Sequence, residues 1–104
     1  MTHQASEPPF QYRGASVLGL RQLDRMNGVA KRTAFRAFKR VRNELREDRE
    51  FFVVDIDEPG DATSTQLLRA MQEADALYPA SRVAVLITAE AYARMQGVAR
   101  LQPQ

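Results

Sequence analysis

The run Val83-Ala84-Val85-Leu86-Ile87 constrains the fold most: consecutive apolar residues, mostly β-branched, with no charge among them. Such a segment has no polar side to offer solvent and is the signature of a strand buried on both faces. A second run, Phe51-Phe52-Val53-Val54-Asp55-Ile56, is a strand by its length, aromatic content and β-branching. The remaining apolar residues follow a helical period. Leu20, Leu23 and Met26 fall three apart and predict a short helix over residues 20–27, ended by Asn27-Gly28, two residues that tolerate left-handed backbone. Ala34, Phe38, Val41 and Leu45, with Phe35 beside them, predict a second helix from residue 30 or 31 to about residue 46. Thr63 and Gln66 have capping-box spacing, and the helix they open carries Leu67, Met71, Ala74 and Tyr78 on one side, with Pro79 just past its end. Thr88 is placed to cap a last helix over residues 89–96, with Tyr92 and Met95 turned inward and Gly97 closing it.

The order is helix, helix, strand, helix, strand, helix. This is an α+β fold: a helix-turn-helix followed by a small sheet, with strands near residues 51–57 and 83–88 and helices packed on it. The length of 104 residues and a hydrophobic fraction of 44% suit one domain with a real core. That domain is expected over residues 12–98. Residues 1–11, interrupted by Pro8-Pro9, read as a flexible tail, and residues 99–104 as a second. Arg13-Gly14 marks a turn before a short extended stretch at residues 16–18.

Several chemistries lack material. With no cysteine there are no disulfides, thiolate metal sites or cysteine nucleophiles, and a reducing compartment, the cytoplasm, is the expected location. The one histidine is His3, in the tail, which leaves histidine general-base catalysis and histidine metal ligation without a residue. Asp55, Asp57, Glu58 and Asp61 cluster near a strand end, but their spacing is not that of a calcium loop, and a solvated turn is the reading. No glycine-rich phosphate loop is present. Neither enzyme activity nor a cofactor is expected. The polar start lacks the apolar stretch of a secretory signal, and no apolar run is long enough for a membrane span.

The charge is informative in its distribution. The net charge is only +2, yet residues 25–42 contain Arg25, Lys31, Arg32, Arg36, Lys39, Arg40 and Arg42 and no Asp or Glu. A segregated cationic segment creates a directional field suited to a polyanion. At about 100° per residue, Arg32, Arg36, Lys39, Arg40 and Asn43 of the second helix cluster within roughly a quarter of the circumference. Ala34, Phe38, Val41 and Leu45 lie on the opposite side. The helix therefore has a core face and a cationic face.

Two helices joined by a tight turn at Gly28 match the helix-turn-helix plan, with Val29 filling the space between them and Ala34 allowing close approach. In that plan the second helix enters the major groove of double-stranded DNA with its amino-terminal end at the bases. Lys31, Arg32, Thr33 and Arg36 are then the base-reading candidates, Lys39, Arg40 and Arg42 the phosphate contacts, and Asn43 suits either role. Arg13 is a lesser candidate for a minor-groove arm. Phe51 and Phe52 are better explained as core than as stacking platforms.

The run from Arg13-Gly14 through Val17-Leu18-Gly19-Leu20 to Asp24, the turn Asn27-Gly28-Val29, the basic run Phe35-Arg36-Ala37-Phe38-Lys39-Arg40 and the pair Phe51-Phe52 resemble the amino-terminal DNA-binding domain of phage regulators of the KilA-N type. Residues 85–92 are similar to the strand-then-helix ending of such proteins, while a helix near residues 65–77 is additional to the pattern. The resemblance implies a phage or prophage origin and DNA contact through residues 31–40. The expected function is a sequence-specific transcriptional regulator. A homodimer is the usual route by which small domains reach adequate specificity. The alternative is a small phage protein that binds and inhibits a host protein without touching DNA, through either the acidic patch or the basic helix.

Overall fold

The computed structural model describes residues 7–101, with side chains through Gln96. Residues 1–6, including His3, and residues 102–104 lie outside the described residues. In chain order the elements are β1 (Phe10–Tyr12), β2 (Ala15–Gly19), α1 (Leu20–Asn27), α2 (Thr33–Val41), a short 3₁₀ turn (Arg42–Glu44), β3 (Phe51–Asp55), α3 (Ala62–Glu73), β4 (Val83–Ile87) and α4 (Ala89–Leu101). The strands form one four-stranded sheet in the order β1-β2-β4-β3, antiparallel throughout. The α+β expectation holds.

The strand with no polar side lies inside the sheet. β4 pairs with β3 along its whole length, from Phe51 opposite Ile87 to Asp55 opposite Val83, and with the end of β2 through Leu18 and Gly19. Because β2 and β3 both run antiparallel to β4, they are parallel to each other, and α1 and α2 form the crossover between them. α3 instead links the neighbouring strands β3 and β4.

The pleat sends alternate residues to two separate cores. Tyr12, Val17, Phe52, Val54, Ala84 and Leu86 pack with Leu67, Leu68 and Met71 of α3. Phe51 and Ile87 pack with Leu23 of α1, Ala34, Phe38 and Val41 of α2, Leu45, and Ala91 and Met95 of α4. Adjacent phenylalanines therefore serve opposite layers, and each makes an edge-to-face contact: Phe52 with Tyr12 at 5.2 Å and Phe51 with Phe38 at 5.0 Å. β4 departs from burial on both faces only at its start, where Val83 is exposed and Val85 half-buried. Val85 still packs against the cluster that covers Ile87, whereas Val83 lies beyond it.

Several local expectations change. The amino-terminal segment is tied down from Glu7 onward. β1 forms a hairpin with β2, and the two-residue turn Arg13-Gly14 has positive φ at both positions, +49° and +81°, the primed-turn geometry that matches strand twist. Glu7 also accepts two hydrogen bonds from Arg25, at 2.7 and 2.8 Å. Asp61, not Thr63, caps α3, its carboxylate accepting the Ser64 N–H at 2.8 Å. α3 stops at Glu73 because Asp75 turns into left-handed backbone, so Ala74 and Tyr78 are not part of its buried stripe. α4 runs through Gly97 rather than ending there. Thr88 does cap α4, accepting from the Ala91 N–H, and it also bonds the Glu50 carbonyl at 2.6 Å.

Candidate nucleic-acid interface

α1 closes as its sequence requires. Gly28, at φ +62°, donates to the Arg25 carbonyl and Val29 to that of Asp24, the paired bonds of a Schellman ending. Val29 is 41% exposed and does not fill the space between the helices; the left-handed turn at Gly28 carries it outward.

α2 begins at Thr33, later than residues 30–31, and ends at Val41. Residues 30–32 form a turn, and Arg32 sits at φ +71°, outside the helical region. The helix start is held from a distance. Asp24 of α1, only 3% exposed, accepts the Arg32 N–H at 2.9 Å and the Ala34 N–H at 2.8 Å. The Tyr78 hydroxyl donates to the same carboxylate. One buried acid thus joins α1, the amino-terminal end of α2 and the segment before β4, and supplies the charge that a helix start favours. Burial, reinforced by the bond to Asp24, raises the Tyr78 phenol above its ordinary pKa of 10.0.

The sequence-predicted residues divide accordingly. Arg36, Lys39 and Arg40 are exposed on α2, opposite the buried Ala34, Phe38 and Val41. Their i, i+3 and i, i+4 spacing places them on one face. Asn43 is exposed one step on, in the 3₁₀ turn rather than in the helix. Lys31 and Arg32 precede α2 and do not lie on its wheel. Lys31 is exposed in the turn, and Arg32 borders a cleft on the side of Phe35. Thr33 is half-buried, its hydroxyl donating to the Ala30 carbonyl at 2.7 Å.

Among the described residues, Lys31, Arg32, Arg36, Lys39 and Arg40 have no carboxylate within ion-pair distance, whereas Arg13, Arg21, Arg25, Arg42 and Arg82 do. Arg46, Arg49, Arg69 and Arg94 are also without an ion pair, but they do not share a helix face with the α2 group. Arg42, expected at phosphate, pairs with Glu47 at 3.6 Å and lies over the Phe51 ring. Arg13 is held by Asp61 at 3.0 Å and stacks on Tyr12, so it is a hairpin residue and not a free arm.

The acidic cluster has structural uses. The Asp55 carboxylate accepts the N–H groups of Asp57 and Glu58, Asp61 caps α3, and Asp57 faces Arg82. Among the described residues no group of histidine, cysteine or acidic side chains is arranged to hold a metal ion, and no helix is long and apolar enough to cross a membrane. Sequence reasoning missed Asp24 and Tyr78. The available signal was a single acid, between Arg21 and Arg25, on a short helix that otherwise buries only Gln22 and Leu23.

Comparison of the chain with protein-family models, with curated proteins and with solved structures finds no match. The likeness to KilA-N domains rests on the motifs of the sequence.

Proposed function

We propose that this chain binds double-stranded DNA through the exposed face of α2 and acts as a sequence-specific regulator of phage or prophage type. The observation that carries the reading is the set Arg36, Lys39 and Arg40, exposed together on one helix whose other face is fixed in the core, with no carboxylate to neutralise them. Unpaired guanidinium and ammonium groups on a rigid helix keep their charge available for phosphate, and an arginine so placed can present two donors to a guanine edge. Lys31 extends the cationic surface ahead of the helix, and Asn43 extends the polar surface beyond it. Because Asp24 occupies the N–H groups at the start of α2, recognition falls to side chains rather than to the helix terminus. In the acidic turn, Asp55 and Asp61 are engaged by backbone N–H groups, which leaves Asp57 and Glu58 as the exposed acids there that are not so engaged.

The test is selection of bound duplexes from a randomised pool with the full chain. A single enriched motif is expected, and Arg36→Ala is expected to weaken binding to it by about 1–3 kcal/mol while relaxing the preference at one position. Duplex binding without an enriched motif removes sequence-specific recognition. Unchanged binding by the variant removes Arg36 from it.

A further inference from the structure

We infer that the cleft between α2 and the segment preceding β4 binds a small organic anion with a flat or short apolar body, of which an aromatic carboxylate is the simplest representative. The cleft has a volume of about 250 Å³. That is small beside the ~300–1,000 Å³ of pockets that enclose drug-sized ligands, and it suits a single ring or a short chain. It opens where the helical layer stops short of the start of β4, so that Val83 meets solvent and the half-buried Val85 borders the opening, joined by Leu20, Phe35 and Tyr78. Val83 is 42% and Phe35 36% exposed, a cost in uncovered apolar area that an occupant would remove.

The charge of the lining selects the occupant. Among the described residues, Arg21, Arg32 and Arg82 border the cleft and no acid does. Arg21 is committed to Asp75 and the Leu77 carbonyl, and Arg82 faces Asp57 at 3.8 Å. Arg32 alone has no carboxylate partner among the described residues, and its backbone is held in the left-handed region that non-glycine residues rarely adopt. Asp24 fixes that backbone through the Arg32 N–H, which sets the side chain beside the cleft at the expense of local strain. An apolar lining with one uncommitted guanidinium matches a carboxylate carried on a ring: two charge-assisted hydrogen bonds at one end, apolar contact at the other. The inference stands apart from the DNA reading, because it rests on Arg32 and the uncovered end of β4 and not on Arg36, Lys39 or Arg40.

The experiment is a titration of the ¹⁵N-labelled full chain, followed by two-dimensional NMR, with benzoate, its neutral isostere benzamide, and inorganic phosphate as separate probes. Benzoate is expected to give saturable shifts at the amides of Arg32, Phe35, Tyr78, Val83 and Val85. Arg32→Gln is expected to weaken it about tenfold, equivalent to about 1.4 kcal/mol. The dispersion of the variant's spectrum reports that it is folded. On the parent protein alone, benzamide and phosphate are both expected to bind more weakly than benzoate. Absence of saturable shifts in the cleft overturns the inference. Equal binding by benzamide overturns the anion requirement, and equal binding by phosphate overturns the apolar one.

Discussion

At Asp24 a single side chain does what the local sequence of α2 does not. Arg32, the residue before the helix, offers no side-chain acceptor, and the carboxylate that satisfies the helix start comes from the preceding helix. Removing it strands the buried Ala34 N–H, the part-buried Arg32 N–H and the Tyr78 hydroxyl. Asp24→Ala is therefore expected to destabilise the protein by about 2–4 kcal/mol in urea denaturation, the combined loss of a cap and of hydrogen bonds to a charged acceptor. Tyr78→Phe, which removes one of the three donors, is expected to cost less. A midpoint for Asp24→Ala equal to the parent's shows that water replaces the carboxylate. A second residue-scale expectation concerns acid. The hydrogen bonds from Arg25 hold the Glu7 carboxyl below its ordinary value of 4.5, and the Ser64 N–H does the same for Asp61 relative to 3.8. A carboxylate whose folded pKa is depressed adds stability that is present above its unfolded pKa and lost as pH falls through the folded value. Stability is thus expected to decline below about pH 4.5. Glu7→Gln is expected to lower the urea midpoint near neutral pH and to converge on the parent in acid. An equal difference at both pH values shows that the Glu7–Arg25 contact carries no charge-dependent stability.

At the scale of elements, what could be read from the sequence divides by the distance over which its cause acts. The bounds of α1 are legible, because Asn27-Gly28 is a local stop. Its buried face is only partly so: Leu23 is buried as its period places it, Leu20 and Met26 are half-buried, and Gln22 and Asp24 are buried beside Leu23. The core face of α2 is legible: Ala34, Phe38 and Val41 are buried where their period places them. The start of α2 is not, since it depends on a carboxylate 8 and 10 residues upstream and a phenol 54 residues downstream of it. β1 was hidden for a related reason. Pro8-Pro9 speaks locally against structure, whereas Phe10 to Tyr12 gains its order by pairing across a turn with β2 and by burying Tyr12 against Phe52 and Ser64. Of the candidate site, Arg36, Lys39 and Arg40 were legible as a helix face. Arg32 was not, because its left-handed backbone takes it off the wheel.

At the scale of the molecule, the sheet is covered by α3 on one face and by α1, α2 and α4 on the other. The crossover from β2 to β3 places α2 with its apolar side against Phe51 and Leu45 and its cationic side facing out. A helix anchored this way carries its exposed cationic residues on a fixed backbone. The most direct test is the salt dependence of binding to a random-sequence duplex, followed by fluorescence anisotropy between about 50 and 200 mM salt, for the parent and for the triple variant Arg36→Gln, Lys39→Gln, Arg40→Gln. Each phosphate neutralised adds about 0.9 to the steepness of log K against log salt, so the triple variant is expected to bind more weakly with a slope shallower by about 2–3. All three side chains are exposed, and its urea midpoint is expected to match the parent's. A parent that fails to bind at low salt, or a variant that binds with the same affinity and slope, contradicts the assignment of α2 as the DNA-contacting helix.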